Sequence, residues 1–426
     1  MRNRRGPFIA TGLLVLLAWL LVAGCDSPPT SPPGSDPDPD PGQDAPLPRP
    51  GLVIQATGRV ERGLRICLTL LDTTTAGIDP GADAPVWSAE PADAVEFVEP
   101  IADGNAGAAS GPGAGSGTGA GGGKVVGAIE ARLLRAGPVT ITGKAGESTG
   151  RLTLQVAAPP TIVFDMVRDG NRDIYRAALD GADLVRLTSG RHDNRAPTVA
   201  GGRVVFVSYR DGNGELYSVP LAGGEEVRLT QTPDHEGEPA LSADGRRLAY
   251  TLSVASVPKL WTAAGDATDA ARAAPDFGSS GSIDAAPSWA PDGNRLVFVS
   301  TARGGADLFL YTPATGAVEL VLGTDAPEVE PAWSPDGQWI AFTSARNGRT
   351  DIYRVRVTGG GIGEVEQLTD RAETDARPAW LADGRIVYVA RVAGATRLRW
   401  LDPEEPGVVY EIPVGDGEIG RVVGVW

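Results

Sequence analysis

Four acidic residues occupy one position of a phrase that recurs through the second half of the chain. Each lies three residues before a proline that opens the phrase, and they are Glu236, Asp284, Glu328 and Asp375. Glu238 and Glu330 add a carboxylate one residue before the proline. Carboxylates gathered at the mouth of a channel concentrate negative potential and favour a cation or a basic peptide. The alternative is that each carboxylate accepts hydrogen bonds from backbone N–H groups of its own turn.

The chain has two histidines, His192 and His235, which precede repeat prolines by five and four residues. Two imidazoles on adjacent repeats, together with carboxylates, could hold a metal ion. Histidines in surface loops are the alternative, and the sequence assigns no metal or cofactor.

No catalytic motif accompanies these residues. The segment Gly278–Ser282 does not have the spacing of the nucleophile elbow G-x-S-x-G. The sequence contains neither a phosphate-binding loop nor the zinc motif H-E-x-x-H. These observations predict a binding protein rather than an enzyme.

The spacing of the phrase predicts the elements that must position the carboxylates. Its prolines stand at 197, 239, 287, 331 and 378, so the spacings are 42, 48, 44 and 47 residues. A repeat of about 40–50 residues is typical of propeller blades. Within a copy, a strand ends at Asp-Gly, which favours a tight hairpin. Three further short strands complete a four-stranded blade.

The two ends of the repeat region predict the number of blades. The first copy, residues 161–188, has no opening strand, and residues 422–426 fit as that strand. We therefore predict an all-β chain whose second domain is a six-bladed propeller closed by the C-terminal strand, a pairing that protects both strand edges.

The phrase also resembles a known family. Residues 331–337 read Pro-Ala-Trp-Ser-Pro-Asp-Gly, and related phrases begin at residues 239, 287 and 378. Together with the strand that follows and the turn before Asp351-Ile-Tyr353, the phrase resembles the TolB-type β-propeller repeat over residues 160–426. The resemblance implies a protein or peptide partner in the cell envelope, although this propeller fold also serves enzymes.

Two alternatives remain at this point. A glycan-binding surface module would need exposed aromatic platforms, whereas most tryptophans here belong to the repeat. A metal-dependent polysaccharide lyase of the propeller type would need a metal near His192 and His235. Blade three departs from the repeat at residues 253–259 and 263–283. Such loops on a rigid scaffold are candidate binding surfaces, and a plain degenerate insertion is the alternative.

Residues 51–158 precede the propeller and predict a β-sandwich. Seven short strands over about 105 residues suit an Ig-like fold. The segments 86–90 and 137–142 resemble the bacterial Ig-like group 2 pattern, interrupted by a Gly-rich insertion at residues 104–123. The propeller itself is predicted to contain ion pairs within blades, including Arg210/Glu215 and Arg346/Asp351.

The first 50 residues predict export and anchoring. Three arginines precede an apolar run, and Val22–Cys25 resembles a bacterial lipobox, which implies a lipid on Cys25 and removal of residues 1–24. Residues 25–50 are rich in Pro and Asp and predict an extended tether. The expected protein is therefore exported and lipid-anchored, on the periplasmic face or the outer surface.

Charge excludes one class of partner. The chain has 38 Lys and Arg against 54 Asp and Glu, a formal net charge of −16. Nucleic-acid binding needs basic patches that neutralise phosphates. We therefore expect no nucleic-acid partner.

Overall fold

The computed structural model describes residues 52–57, 65–72, 86–98, 124–133, 136–145, 148–275, 277–358, 361–405 and 407–425. The chain divides into two compact units, Met1–Ala158 and Pro159–Trp426. The predicted leader with Cys25, the tether and the Gly-rich insertion at residues 104–123 all lie outside the described residues. None of the described residues forms a helix long and apolar enough to span a membrane.

The first unit contains seven described strands in two sheets. They are β1 (Leu52–Thr57), β2 (Arg65–Asp72), β3 (Val86–Glu90), β4 (Val95–Val98), β5 (Lys124–Leu133), β6 (Gly137–Ala145) and β7 (Ser148–Val156). The sheet orders are β1-β2-β5-β4 and β3-β6-β7. Leu68 and Ala131 of the first sheet share a buried core with Val139 and Ile141 of the second. The predicted strands are present, and the assignment to the Ig-like group stays a prediction.

The second unit is built from four-stranded antiparallel sheets, six of them among the described residues. Blade one contains β8 (Thr161–Arg168), β9 (Asn171–Ala178) and β10 (Val185–Arg186). Blade two contains β11 (Asn194–Ala200), β12 (Arg203–Ser208), β13 (Glu215–Pro220) and β14 (Val227–Arg228). Blade three contains β15 (His235–Leu241), β16 (Arg247–Val254), β17 (Val257–Ala264) and β18 (Ala271–Arg272).

Blades four to six repeat the same order. Blade four contains β19 (Asp284–Trp289), β20 (Leu296–Ser300), β21 (Asp307–Thr312) and β22 (Ala317–Leu322). Blade five contains β23 (Glu328–Trp333), β24 (Trp339–Ser344), β25 (Asp351–Thr358) and β26 (Gly361–Gln367). Blade six contains β27 (Thr374–Trp380), β28 (Ile386–Val392), β29 (Ala395–Leu401) and β30 (Val409–Ile412).

The last strand, β31 (Glu418–Gly424), lies in the sheet of blade one, where it pairs antiparallel with β8. This is the pairing that the sequence predicts. The innermost strands contact one another in sequence, and β31 contacts both β27 and β11. The first and last parts of the propeller are therefore held together by one hydrogen-bonded ladder.

Hydrophobic cores lie between neighbouring blades. Trp333 and Ile340 of blade five pack with Val297 and Leu308 of blade four, and Trp289 packs in the same way against blade three. Each blade therefore buries its apolar face only against its neighbours, as the repeat architecture requires.

The Asp-Gly turns are confirmed as hairpin connections. Gly245, Gly293, Gly337 and Gly384 all have a positive φ, between 67° and 89°. The carboxylate of Asp336 accepts hydrogen bonds from the Ser334 hydroxyl at 2.5 Å and the Gln338 amide at 2.9 Å. The turn aspartates therefore have a structural role, because their oxygens fix the hairpin backbone.

Candidate functional site

A cavity of about 400 Å³ lies among the innermost strands of the six blades. Trp289, Trp333 and Trp380 lie behind its wall and are almost fully buried, with exposed fractions of 5%, 1% and 3%. The charged residues that line it are Asp165, Arg172, Arg195, Glu238, Glu330, Arg377, Glu418 and Arg421. We call this space the channel cavity. Its wall thus carries four carboxylates and four guanidinium groups beside aromatic rings.

A β-bulge in each innermost strand brings these side chains to the channel cavity. The pairing between first and second strands shifts register just before each repeat proline. The residues before the proline all have a left-handed φ between 48° and 57°, and they are Ala196, Glu238, Ala286, Glu330 and Arg377. Bulges re-aim side chains, and a non-glycine residue holds this strained conformation only where its surroundings fix it.

Carboxylates at the channel cavity tie neighbouring blades together. The Ala286 amide of blade four donates to Glu238 Oε2 of blade three at 2.8 Å. The Arg377 amide of blade six donates to Glu330 Oε2 of blade five at 2.9 Å, and its Nε donates to Oε1 at 3.1 Å. The bulge withdraws these N–H groups from the strand ladder, so the carboxylates satisfy donors that would otherwise lack a partner.

Blade one supplies to the same wall an ion pair whose carboxylate is buried. Asp165 is 2% exposed, and its Oδ2 accepts a hydrogen bond from Arg172 Nη1 at 2.6 Å. Its Oδ1 accepts the amides of Arg421 at 2.8 Å and of Ala196 at 3.2 Å. Arg172 also donates to Glu418 at 2.9 Å. Asp165 therefore joins the last strand, β31, to blade two.

The four carboxylates predicted to ring the channel mouth lie elsewhere. Glu236, Asp284, Glu328 and Asp375 are buried at the starts of their strands, and none lines the channel cavity. Glu328 accepts hydrogen bonds from the Thr324 amide of its own turn at 3.3 Å, from the Thr324 hydroxyl, and from Arg346 Nη2 at 3.1 Å. The prediction that they form the binding ring is corrected, and the alternative of hydrogen bonding within the turn fits Glu328.

The predicted ion pairs within blades are also corrected. Arg346 pairs with Glu328 instead of Asp351. Arg210 pairs with Glu226 instead of Glu215. In both cases the arginine follows the second strand of its blade, and its long side chain reaches a carboxylate at the start of another strand: Glu328 begins β23, and Glu226 directly precedes β14.

Asp284 is held by a lysine of the preceding blade. Lys259 is buried, and its Nζ lies 3.5 Å from Asp284 Oδ2. The same ammonium donates to the carbonyl oxygens of Ser279 and Ser282 at 2.9 and 2.5 Å. Lys259 therefore anchors the end of the blade-three insertion at residues 263–283.

Glu236 and Asp375 are buried without an ion pair among the described residues. Burial raises the pKa of Glu236 to about 7, and the charge of Glu215 adds to the rise. Burial likewise raises the pKa of Asp375 to about 6. Glu236 and Glu215 each have a buried Oε2 with no hydrogen-bond partner in the described part of the chain, an arrangement that one shared proton would satisfy.

The structure does not bring the two histidines into a metal-binding group. His192 is exposed. His235 Nδ1 accepts the Gly214 amide at 3.0 Å, which leaves Nε2 to donate to the Tyr209 hydroxyl at 3.2 Å. Across the part of the chain that the structure describes, no three His, Cys, Asp or Glu side chains converge to hold a metal ion.

Sequence reasoning missed most of the channel wall. It noted Glu238 and Glu330 as added charge but did not single out Asp165, Arg377 or Arg421. One signal was available, since a charged residue precedes the proline in three of the five phrases.

Comparison with known proteins identifies the repeat. Residues 239–408 match the family described as the TolB beta propeller domain. The structure is similar to TolB from Acinetobacter baumannii, with 17% identity over 68% of this chain and 80% of that one and a TM-score of 0.56. Putative TolB from Agrobacterium tumefaciens is 20% identical over 62% and 97%, with a TM-score of 0.49.

The fold extends beyond proteins of that description. Kuenenia stuttgartiensis hydrazine synthase is 13% identical over 62% of this chain and 46% of that one, with a TM-score of 0.51. Curated proteins give no match. At these identities the likeness shows the fold, so function must be argued from the site.

Proposed function

Because the chain carries a TolB-like propeller, we propose that it is a non-catalytic binding protein of the bacterial cell envelope, whose channel cavity receives a peptide segment of a protein partner. One observation carries the proposal. Charged side chains are fixed by bulges and inter-blade hydrogen bonds around a cavity that lies among the innermost strands.

The size and chemistry of the channel cavity support a short peptide as the ligand. A volume of about 400 Å³ lies in the range of ligand pockets, which combine apolar walls with a few placed polar groups. It admits a few side chains or one end of a chain, and it is too small for a folded domain. Anchors on a rigid scaffold also reduce the ordering cost of binding.

The proposed location rests on the first 50 residues. The lipobox-like Val22–Cys25 supports a lipid on Cys25, with the tether holding the two domains away from a membrane. We expect the protein expressed in a bacterial host to incorporate an alkyne-tagged fatty acid, and Cys25→Ser to abolish the label. A Cys67→Ser variant is the matched control, and labelling that survives Cys25→Ser would contradict the anchor.

The channel can be blocked without touching its ion pairs. Ala286 lines the cavity and already carries a Cβ at a left-handed φ, so Ala286→Trp should fill the cavity with an indole ring. The mature chain is first used to capture a partner protein from an envelope extract. We expect this partner to bind Ala286→Trp with an affinity at least tenfold lower than that for the parent. Affinity is measured by surface plasmon resonance on the identified partner.

The control places the same change on an outer strand. Ala317 is exposed at the start of β22, so Ala317→Trp should retain the partner fully. A partner bound equally by both variants would place its site outside the channel. A glycan retained in place of a protein would favour the surface-module alternative.

A further inference from the structure

Arg421 reaches the channel cavity through an irregularity of β31. The pairing of β31 with β8 shifts register between Ile419 and Val422. The Arg421 amide donates to the buried carboxylate of Asp165 at 2.8 Å, which fixes the backbone. The side chain lines the cavity and is half-buried.

The other arginines of the cavity wall already have carboxylate partners. Arg172 contacts Asp165 and Glu418. Arg377 contacts Glu330 at 3.1 Å and donates to the Gly420 carbonyl at 2.6 Å. Arg195 pairs with Asp193. These three guanidinium groups are therefore already bound to acceptors within the protein.

The guanidinium of Arg421 differs, because it makes no hydrogen bond or ion pair with any residue that the structure describes. The charges of Glu238 and Glu330 act on it only at longer range, and burial lowers its pKa below the ordinary value. A partly desolvated guanidinium has lost hydration that no protein acceptor replaces. Its planar fork matches a carboxylate in two parallel hydrogen bonds.

We propose that the Arg421 guanidinium binds a carboxylate of the peptide segment that enters the channel, either an acidic side chain or a C-terminal carboxylate. This inference rests on the function proposed above. The carboxylates of Asp165, Glu238 and Glu330 surround the same space, so a single negative charge fits and a more highly charged group is repelled.

The test uses two random peptide libraries and the mature chain. One library presents a free C-terminal carboxylate, and the other has an amidated C-terminus. Peptides whose binding is lost in Ala286→Trp are kept as channel ligands. If an acidic side chain supplies the carboxylate, we expect these peptides to contain Asp or Glu. If the C-terminus supplies it, we expect them to come only from the free-carboxylate library.

A double-mutant cycle then assigns the contact to Arg421. Fluorescence anisotropy should show at least a tenfold loss of affinity for Arg421→Gln, and the same loss when the peptide carboxylate is replaced by its amide. The two changes together should cost little more than either alone. Arg421→Lys should restore part of the affinity, and Arg303→Gln, at an exposed arginine, should change nothing.

Failure of the inference and failure of the proposed function look different. Peptides that bind the channel but are indifferent to Arg421→Gln and to amidation would overturn the role of Arg421 and leave the binding function standing. No channel-binding peptide in either library would overturn both. If Arg421→Gln does not fold, the amidated peptide on the parent protein still decides, since unchanged affinity overturns the inference.

Discussion

Gly420→Ala is expected to destabilise the propeller by about 3 kcal/mol, because the new Cβ has no room. A Cβ built at Gly420 would lie 1.9 Å from Asp165 Oδ2. The carboxylate cannot move aside cheaply, since it is buried and bound to Arg172 and to the amides of Ala196 and Arg421. Overlap and lost hydrogen bonds therefore act together.

The effect is measured as the shift of the propeller transition in calorimetry of the mature chain. A loss of that size lowers Tm by on the order of 5–10 °C for a domain of this length. Gly424→Ala should act in the same direction, because its Cβ would lie 2.4 Å from the Trp380 carbonyl oxygen of blade six. Gly281→Ala is the control, with nothing within 4 Å of its Cβ. If all three variants melt alike, β31 is not packed against Asp165 of β8 and Trp380 of blade six.

Glu236→Gln is expected to stabilise the protein at pH 8 and to have little effect at pH 5. The folded-state pKa of Glu236, about 7, exceeds the ordinary 4.5. The folded protein therefore binds the proton more tightly than the unfolded chain, and stability falls as pH rises from 4.5 through 7. The rise of the Glu236 pKa corresponds to about 3 kcal/mol of unfolding free energy that is lost above pH 7. Glutamine stays neutral, and its amide group can donate where the protonated carboxyl would.

The matched comparison uses the same position in blade five. Glu328 pairs with Arg346 at 3.1 Å, so Glu328→Gln should destabilise the protein at pH 8 by leaving a partly buried guanidinium without its charge partner. Urea unfolding of the parent and of both variants at pH 5 and pH 8 gives the change in the free energy of unfolding for each variant at each pH. A Glu236→Gln variant that is less stable than the parent at pH 8 would show that the fold stabilises the ionised carboxylate and that the folded-state pKa of Glu236 is not raised.

These opposite signs show what sequence alone could and could not predict. The spacing of the prolines, the Asp-Gly turns and the alternation of apolar residues predict the strands and their assignment to blades. The same pattern places Glu236 and Glu328 in one structural position. It cannot say that Arg346 reaches Glu328 while Glu236 faces Glu215, because those partners come from different strands and depend on side-chain packing.

The channel wall was out of reach for a related reason. Side chains alternate along a strand, so a shift of one residue moves every later side chain to the other face. The bulge before each proline introduces such a shift. Consequently Glu238 and Glu330 face the cavity, whereas Glu236 and Glu328, two residues earlier, lie buried within the sheets. Only the backbone conformation of the residues before the proline reveals this.

The pairing of β31 with β8 also orders events during biosynthesis. Asp165 and the Arg421 amide that it binds are 256 residues apart in the chain, so strand β8 leaves the ribosome long before its partner exists. Until then β8 presents an unpaired edge, and contacts of such long range form slowly. A chain that crosses a membrane from its N-terminus would keep this edge open throughout transit. The yield of folded protein would then depend on protecting this edge from pairing with other chains until β31 has crossed the membrane.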